Sequence, residues 1–291
     1  MFRSIKELVE SAEEKNCRIS EIMIQQEIEV STRSYEEIIS QMDLNLQTME
    51  QAVEKGVNGV RSRSGLTGYD AKKIQAYMDH QSVLTDQTFV QALCYSIATN
   101  EVNAAMGMIC ATPTAGSAGV VPGVLLAFSK KFEASRKQMI ECLFTAAAFG
   151  FVVANNACIS GAEGGCQAEI GSASAMAAAC LVELAEGTPK QAAHAFAIAL
   201  SNSIGLACDP VAGLVEIPCI KRNAGGTANA IAAAELALAN VESEIPADEV
   251  IETMYRVGRN MPSDIRETGI GGLAGTKTGK RIMKELFGVE R

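Results

Sequence analysis

With 291 residues, 48% of them hydrophobic, the chain is long enough for one large or two small domains around an ample core, which excludes a disordered protein. Its formal net charge of -9, without any basic block, gives a field that repels nucleic acid and anionic membranes, so small molecules and other proteins are the expected partners. Residues 1–14 alternate charged with apolar side chains and lack the apolar centre of a secretory signal, which points to the cytoplasm.

The chain reads as helices from the start. Residues 1–57 are the more charged part and are expected to form an N-terminal helical arm, leaving 58–291 as the main helical domain. Within the arm, Ile38, Ile39, Met42, Leu46, Met49 and Val53 recur at three- and four-residue steps. Ser34 as N-cap and Gly56 as stop complete an amphipathic helix of about six turns. A polar loop, SRSGLTGY, follows at 62–69, and Arg61 just before it with Ser64, Thr67 and Gly68 could offer an arginine fork and hydroxyls to a carboxylate. A solvated turn is the plainer alternative.

A second helix starts near Asp86 and runs through Leu93, Ile97 and Val102 to about Met108. The next connection, ATPTAGSAGVVPG, has the make-up of an anion nest. Thr114, Gly116, Ser117 and Gly119 could turn donors inward beside the start of a helix, although glycine-rich turns also serve as plain connections. The most apolar stretch, 143–154, stops at Asn155 and Asn156, short of the roughly 20 residues a spanning helix needs, and reads as a buried helix.

Beyond the glycine-rich 160–171, the alanine-rich runs 173–179 and 228–239 let neighbouring helix axes approach closely. Thr188-Pro189 caps and opens a helix to about Ser203, and Pro246 opens another at Asp248. No window alternates apolar and polar residues convincingly, so strands should be few or absent and the fold class is all-α.

Nine cysteines, an odd number, argue against a disulfide framework. Cys94, Cys142 and Cys180 lie inside apolar helical runs, where a thiol acts as a small hydrophobe. Cys166, Cys208 and Cys219 differ because they sit beside glycine, proline or charge, in GAEGGCQ, LACDPVAG and EIPCIKRN, with Lys221 and Arg222 at hand to offset thiolate charge. Their gaps of 42 and 11 residues match no short zinc or ferredoxin pattern, so spacing alone leaves a metal site and ordinary loop thiols both open.

Four stretches taken together, ATPTAGSAGVVPGV, NNACISGAEGGCQAEIGSASAMAAA, GLACDPVAGLVEIPCIKRNA and ETGIGGLA, resemble the alpha chain of iron-sulfur L-serine dehydratases, over about residues 59–274 and in one order. The resemblance implies that Cys166, Cys208 and Cys219 hold a 4Fe-4S cluster as a Lewis acid, and that serine loses water to give pyruvate and ammonia, as in serine catabolism. It also implies a beta chain, in an alpha-beta heterodimer or larger assembly. This sequence has only His80 and His194, and the Ser-Ser-Ser-His type motif of the family's second unit is missing, so the base is expected from that partner.

Two positions depart from the fused members of that family. They end just after GGLA in a cysteine that protects the fourth iron, whereas here GTKTGKRIMKELFGVER follows, and they have asparagine where Ala115 stands. Related readings are an iron-sulfur L-cysteine desulfidase, which performs the same elimination with sulfide leaving, and a non-enzymatic iron-sulfur redox or sensor subunit. Pyridoxal-phosphate chemistry would need a Schiff-base lysine, and Lys130, Lys131, Lys221 and Lys277 fall in no such pattern.

Overall fold

The computed structural model describes residues 2–288. Among these the chain forms thirteen α-helices, with extended pairing limited to two isolated bridges, Arg61 with Gly68 and Cys208 with Arg266. The expected all-α class is what is found. The helices are α1 (Ile5–Glu14), α2 (Ile19–Ser31), α3 (Tyr35–Asn58), α4 (Asp70–His80), α5 (Gln87–Ala104), α6 (Val120–Lys131) and α7 (Arg136–Asn156). They continue with α8 (Gly161–Gly164), α9 (Ser172–Leu184), α10 (Pro189–Ser201), α11 (Cys219–Leu238), α12 (Ala247–Asn260) and α13 (Lys277–Phe287).

The architecture is organised around α9, every residue of which is buried. Its sequence, SASAMAAACLVEL, explains why: small side chains on all faces allow α6, α7, α10 and α11 to pack around it at once. Ser174, in its first turn, donates to the Gly226 carbonyl of α11 at 2.8 Å, so a buried hydroxyl has a partner across the contact. α1, α2 and α3 put Ile5, Leu8, Ile19, Leu46 and Met49 into the same core cluster that contains α9.

Several caps lie where local chemistry puts them. Ser34, Asp86 and Thr188 each accept a backbone N–H of the first turn, and Pro246 precedes α12. The ends depart more. α3 runs past Gly56 to Asn58, and α5 ends at Ala104 rather than near Met108. Gly56 is a contact residue and not a stop: a Cβ there would lie 2.3 Å from the Ala98 carbonyl oxygen of α5. The buried helix expected at 143–154 is longer than its apolar centre. α7 has 21 residues, long and apolar enough by length and composition to cross a membrane, yet its apolar side chains pack on α9 and α2.

Candidate functional site

Three helix starts meet on one side of the bundle. Cys219 is the first residue of α11, with Pro218 before it, so this thiol belongs to a helix N-terminus rather than to an open loop. Cys166 precedes a π-turn, Gln167–Gly171, that runs straight into α9. Such wide turns recur at functional sites. The 3₁₀ turn Ala115–Ser117 leads through Gly119 into α6. The positive ends of three helices thereby favour anionic groups between them.

Buried amides lock these starts together. Asn223, fully buried, accepts from Gly119 N at 3.0 Å and donates to the carbonyls of Gly116 at 2.8 Å and Cys219 at 2.9 Å. Asn100 of α5 also donates to the Gly116 carbonyl, at 3.0 Å. Gln167 donates to the Met254 carbonyl of α12 and accepts from Gly205 N, which ties the Cys166 turn to the segment before Cys208. Cys208 itself is held in extended backbone, donating its N–H to the Ile265 carbonyl at 2.9 Å while its carbonyl accepts from Glu267 N at 2.7 Å.

All three thiols are buried, and they share one electrostatic environment. The neighbouring Cys208 thiol, and after it the Arg222 guanidinium, hold Cys166 below the ordinary thiol range despite its burial. Cys208 is pushed up by its Cys166 neighbour, by burial and by the negative charges beside it. Burial, then the charges of Cys166 and Glu169, push Cys219 up to about 12. Arg222 is anchored at 2.8 Å from Asp209 Oδ1 and by donation to the Ala207 carbonyl at 2.7 Å. Lys221, also expected to offset thiolate charge, turns away to Asp70 at 2.8 Å.

Among the described residues no three Cys, His, Asp or Glu side chains are gathered closely enough to hold a single metal ion. The donor set nevertheless suits a larger thiophilic group: three buried thiols with one guanidinium beside them. Space is kept on that side by Gly161, where a Cβ would lie 2.8 Å from Cys208 Sγ and 2.7 Å from Glu169 Oε2.

The candidate carboxylate-binding residues divide. Thr114 reaches the thiol side through Glu169, donating its hydroxyl to Glu169 Oε1 at 2.7 Å while Oε2 lies 3.8 Å from Cys208 Sγ. Ser117 is fully buried and spends its hydroxyl on the Thr112 carbonyl at 3.1 Å, and Gly119 spends its N–H on Asn223. No residue of the 112–119 loop has positive φ, so this is not a nest made by left-handed glycines. Gly119 is needed for close approach instead, since a Cβ there would meet the Ser96 carbonyl oxygen at 2.1 Å. Gly116 lies against Glu169, whose Oε1 would be 3.2 Å from an added Cβ.

In the other loop, Ser64 and Thr67 both donate to the Glu216 carboxylate, at 2.7 and 2.6 Å. Their hydroxyls are thus engaged by a carboxylate of this chain, three residues before Cys219. Gly68, with φ +140°, allows the Val60 carbonyl oxygen within 2.5 Å of where a Cβ would be. Arg61 is exposed, donates to the Gly65 carbonyl at 3.3 Å, and lines a cavity of about 480 Å³ with Lys73, Lys221 and Glu216.

The histidines are occupied elsewhere. His194 accepts from Ser243 N at 3.1 Å, and His80 is exposed in the last turn of α4. Sequence reasoning missed Glu169, Asp209, Glu216 and Asn223. All four lie within four residues of one of the three cysteines, Asp209 directly after Cys208 and Glu169 three residues after Cys166, but their partners across the fold have no signal in the sequence. Burial and the nearby Glu267 charge raise its carboxyl above the usual range, against hydrogen bonds from Thr114 and Cys208.

Residues 14–274 match the family model described as serine dehydratase alpha chain. The chain is 60% identical over 288 residues to a probable L-serine dehydratase alpha chain of Bacillus subtilis (strain 168), covering 99% of this chain and 96% of that one. It is 41% identical over 292 residues to the L-serine dehydratase alpha chain of Peptoniphilus asaccharolyticus, covering 99% of each. It is also 37% identical over 285 residues to L-serine dehydratase 1 of Escherichia coli (strain K12), covering 94% of this chain but 61% of that longer one.

Proposed function

Because the chain belongs to the serine dehydratase alpha-chain family, we propose that it is the alpha subunit of a cytoplasmic L-serine dehydratase that converts L-serine to pyruvate and ammonia. The observation that carries this reading is the meeting of Cys166, Cys208 and Cys219 with Arg222, Glu169 and the Thr114 hydroxyl at three helix starts. In it, Cys166, Cys208 and Cys219 would hold a 4Fe-4S cluster. When bound, such a cluster supplies a Lewis-acidic iron for the departing hydroxyl group.

The residues of this chain bind and orient. Arg222 offsets the negative charge of the thiolates, and Asp209 keeps that guanidinium in place. The Thr114 hydroxyl, on the loop that Asn223 and Asn100 fasten, faces the same space and is available to the substrate carboxylate when it turns from Glu169. Burial of the thiols keeps bulk water away.

The elimination removes the α proton to a base, breaks the Cβ–O bond with loss of water, and leaves an aminoacrylate that tautomerises and hydrolyses to pyruvate and ammonium. His194 accepts from Ser243 N and His80 is exposed on α4, and in this reading the beta chain supplies the base. The words "alpha chain" in the names of the Bacillus subtilis and Peptoniphilus asaccharolyticus relatives support an assembly with such a partner.

The test is anaerobic co-expression with the candidate beta chain, followed by iron and sulfide analysis and a pyruvate assay with serine. Iron, sulfide and serine-dependent pyruvate should all be lost in Cys166→Ala, Cys208→Ala and Cys219→Ala. Pyruvate formation in iron-free protein would overturn the reading, and so would a cluster that survives the three substitutions.

A further inference from the structure

Among the buried or half-buried carboxylates of this part of the bundle, Glu169 stands apart in how its charge is met. Asp209 has Arg222 and Leu273 N, Glu216 has two hydroxyls, and Glu101 has the N–H groups of Asp70 and Ala71. Glu169 has the Thr114 hydroxyl on Oε1 and only Cys208 Sγ, at 3.8 Å, on Oε2. Among the described residues no lysine or arginine pairs with it: Arg222 is committed to Asp209, Lys221 to Asp70, and Arg266, whose backbone pairs with Cys208, donates to the Glu163 carbonyl at 3.5 Å. Two glycines, Gly116 and Gly161, leave its oxygens uncovered on the side of the site.

We propose that Glu169 receives the α-ammonium group of the substrate, and so selects an α-amino acid over the corresponding α-hydroxy or unsubstituted acid. The assignment rests on the dehydratase reading above, and it follows from where the carboxylate lies. Its Oε1 touches the Thr114 loop, to which the dehydratase reading assigns the substrate carboxylate, and its Oε2 touches Cys208 at the thiol end, to which that reading assigns the substrate hydroxyl. The ammonium sits on the carbon between those two groups. A carboxylate with one open oxygen, set among thiols and with no cation of its own, lacks a positively charged hydrogen-bond donor, and an ammonium supplies it.

Glu169→Gln in the anaerobic alpha-beta complex tests this, with Glu169→Asp and Thr114→Val as companions. The readouts are iron content, calorimetric binding of L-serine, and calorimetric binding of 3-hydroxypropanoate, which is serine without its amine. In Glu169→Gln, affinity for serine should fall on the order of 10- to 100-fold, with iron content unchanged and 3-hydroxypropanoate affinity equal or improved. Glu169→Asp should recover part of the serine affinity. Thr114→Val, which removes the hydroxyl but keeps the carboxylate, should weaken both ligands alike. Equal loss of both ligands in Glu169→Gln, unchanged serine affinity, or loss of iron would overturn the assignment. If the wild-type complex neither binds serine nor forms pyruvate, the dehydratase reading itself fails and the assignment falls with it.

Discussion

Ser64 donates its hydroxyl to Glu216 across 152 positions of sequence, at 2.7 Å, and Thr67 donates to the other oxygen of the same carboxylate. The 62–69 loop is therefore clamped to the residues that introduce Cys219. Glu216→Ala leaves two hydroxyls without their acceptor and is expected to cost about 1–3 kcal/mol. Urea denaturation of the variant, with limited proteolysis of the loop, measures this. Ser64→Ala should cost less, and the double substitution should fall short of the sum.

The Arg222–Asp209 pair carries a larger share of the site's integrity. Asp209 is 5% exposed, and Arg222→Met would leave its carboxylate without a cation. The expected loss is about 3–5 kcal/mol, the range for breaking a buried pair from one side. Arg222→Lys should recover only part of it, because an ammonium cannot reach Asp209, the Ala207 carbonyl and Cys166 together as the guanidinium fork does. Denaturant midpoints of protein purified without iron separate this effect from any on the cofactor.

A pH dependence follows from Glu183, buried in α9 and reached by Ser20 N at 3.4 Å. Burial raises its carboxyl above the usual range, more than the hydrogen bond from Ser20 lowers it. The folded-state value exceeds the unfolded one, so its contribution to stability is fully present below the ordinary glutamate value, about 4.3. That contribution is lost as pH rises through the folded-state value. Glu183→Gln should flatten this part of the curve and become the more stable form at neutral pH. Urea midpoints of both proteins across the acidic range show whether the two curves converge at low pH.

Two glycines predict opposite outcomes. Gly56→Ala drives a Cβ to 2.3 Å from the Ala98 carbonyl oxygen, forcing α3 from α5 at a cost of about 1–3 kcal/mol. Gly225, inside α11, has nothing within 4 Å of an added Cβ, so Gly225→Ala should stabilise by about 0.5–1 kcal/mol through helix propensity alone. Thermal melts of the two variants should move in opposite directions.

What the sequence determined by itself is whatever depends on neighbours within a few residues. The three- and four-residue spacing of Ile38 to Val53, the caps Ser34, Asp86 and Thr188, and the alanine run of α9 each state a local preference, and the helices follow it. The setting of Cys166, Cys208 and Cys219 was also legible, because glycine, proline and charge beside a thiol are local facts. The tertiary structure decided which groups face them. Glu169 meets Thr114 across 55 positions, and Asn223 takes Gly119 N across 104. The glycines of the 112–119 loop proved to serve helix contact rather than left-handed turns, since the Ser96 carbonyl lies against Gly119. A hydrogen bond needs two groups within about 3 Å and aligned, a condition set by how whole helices pack and not by any residue's own neighbours in the chain.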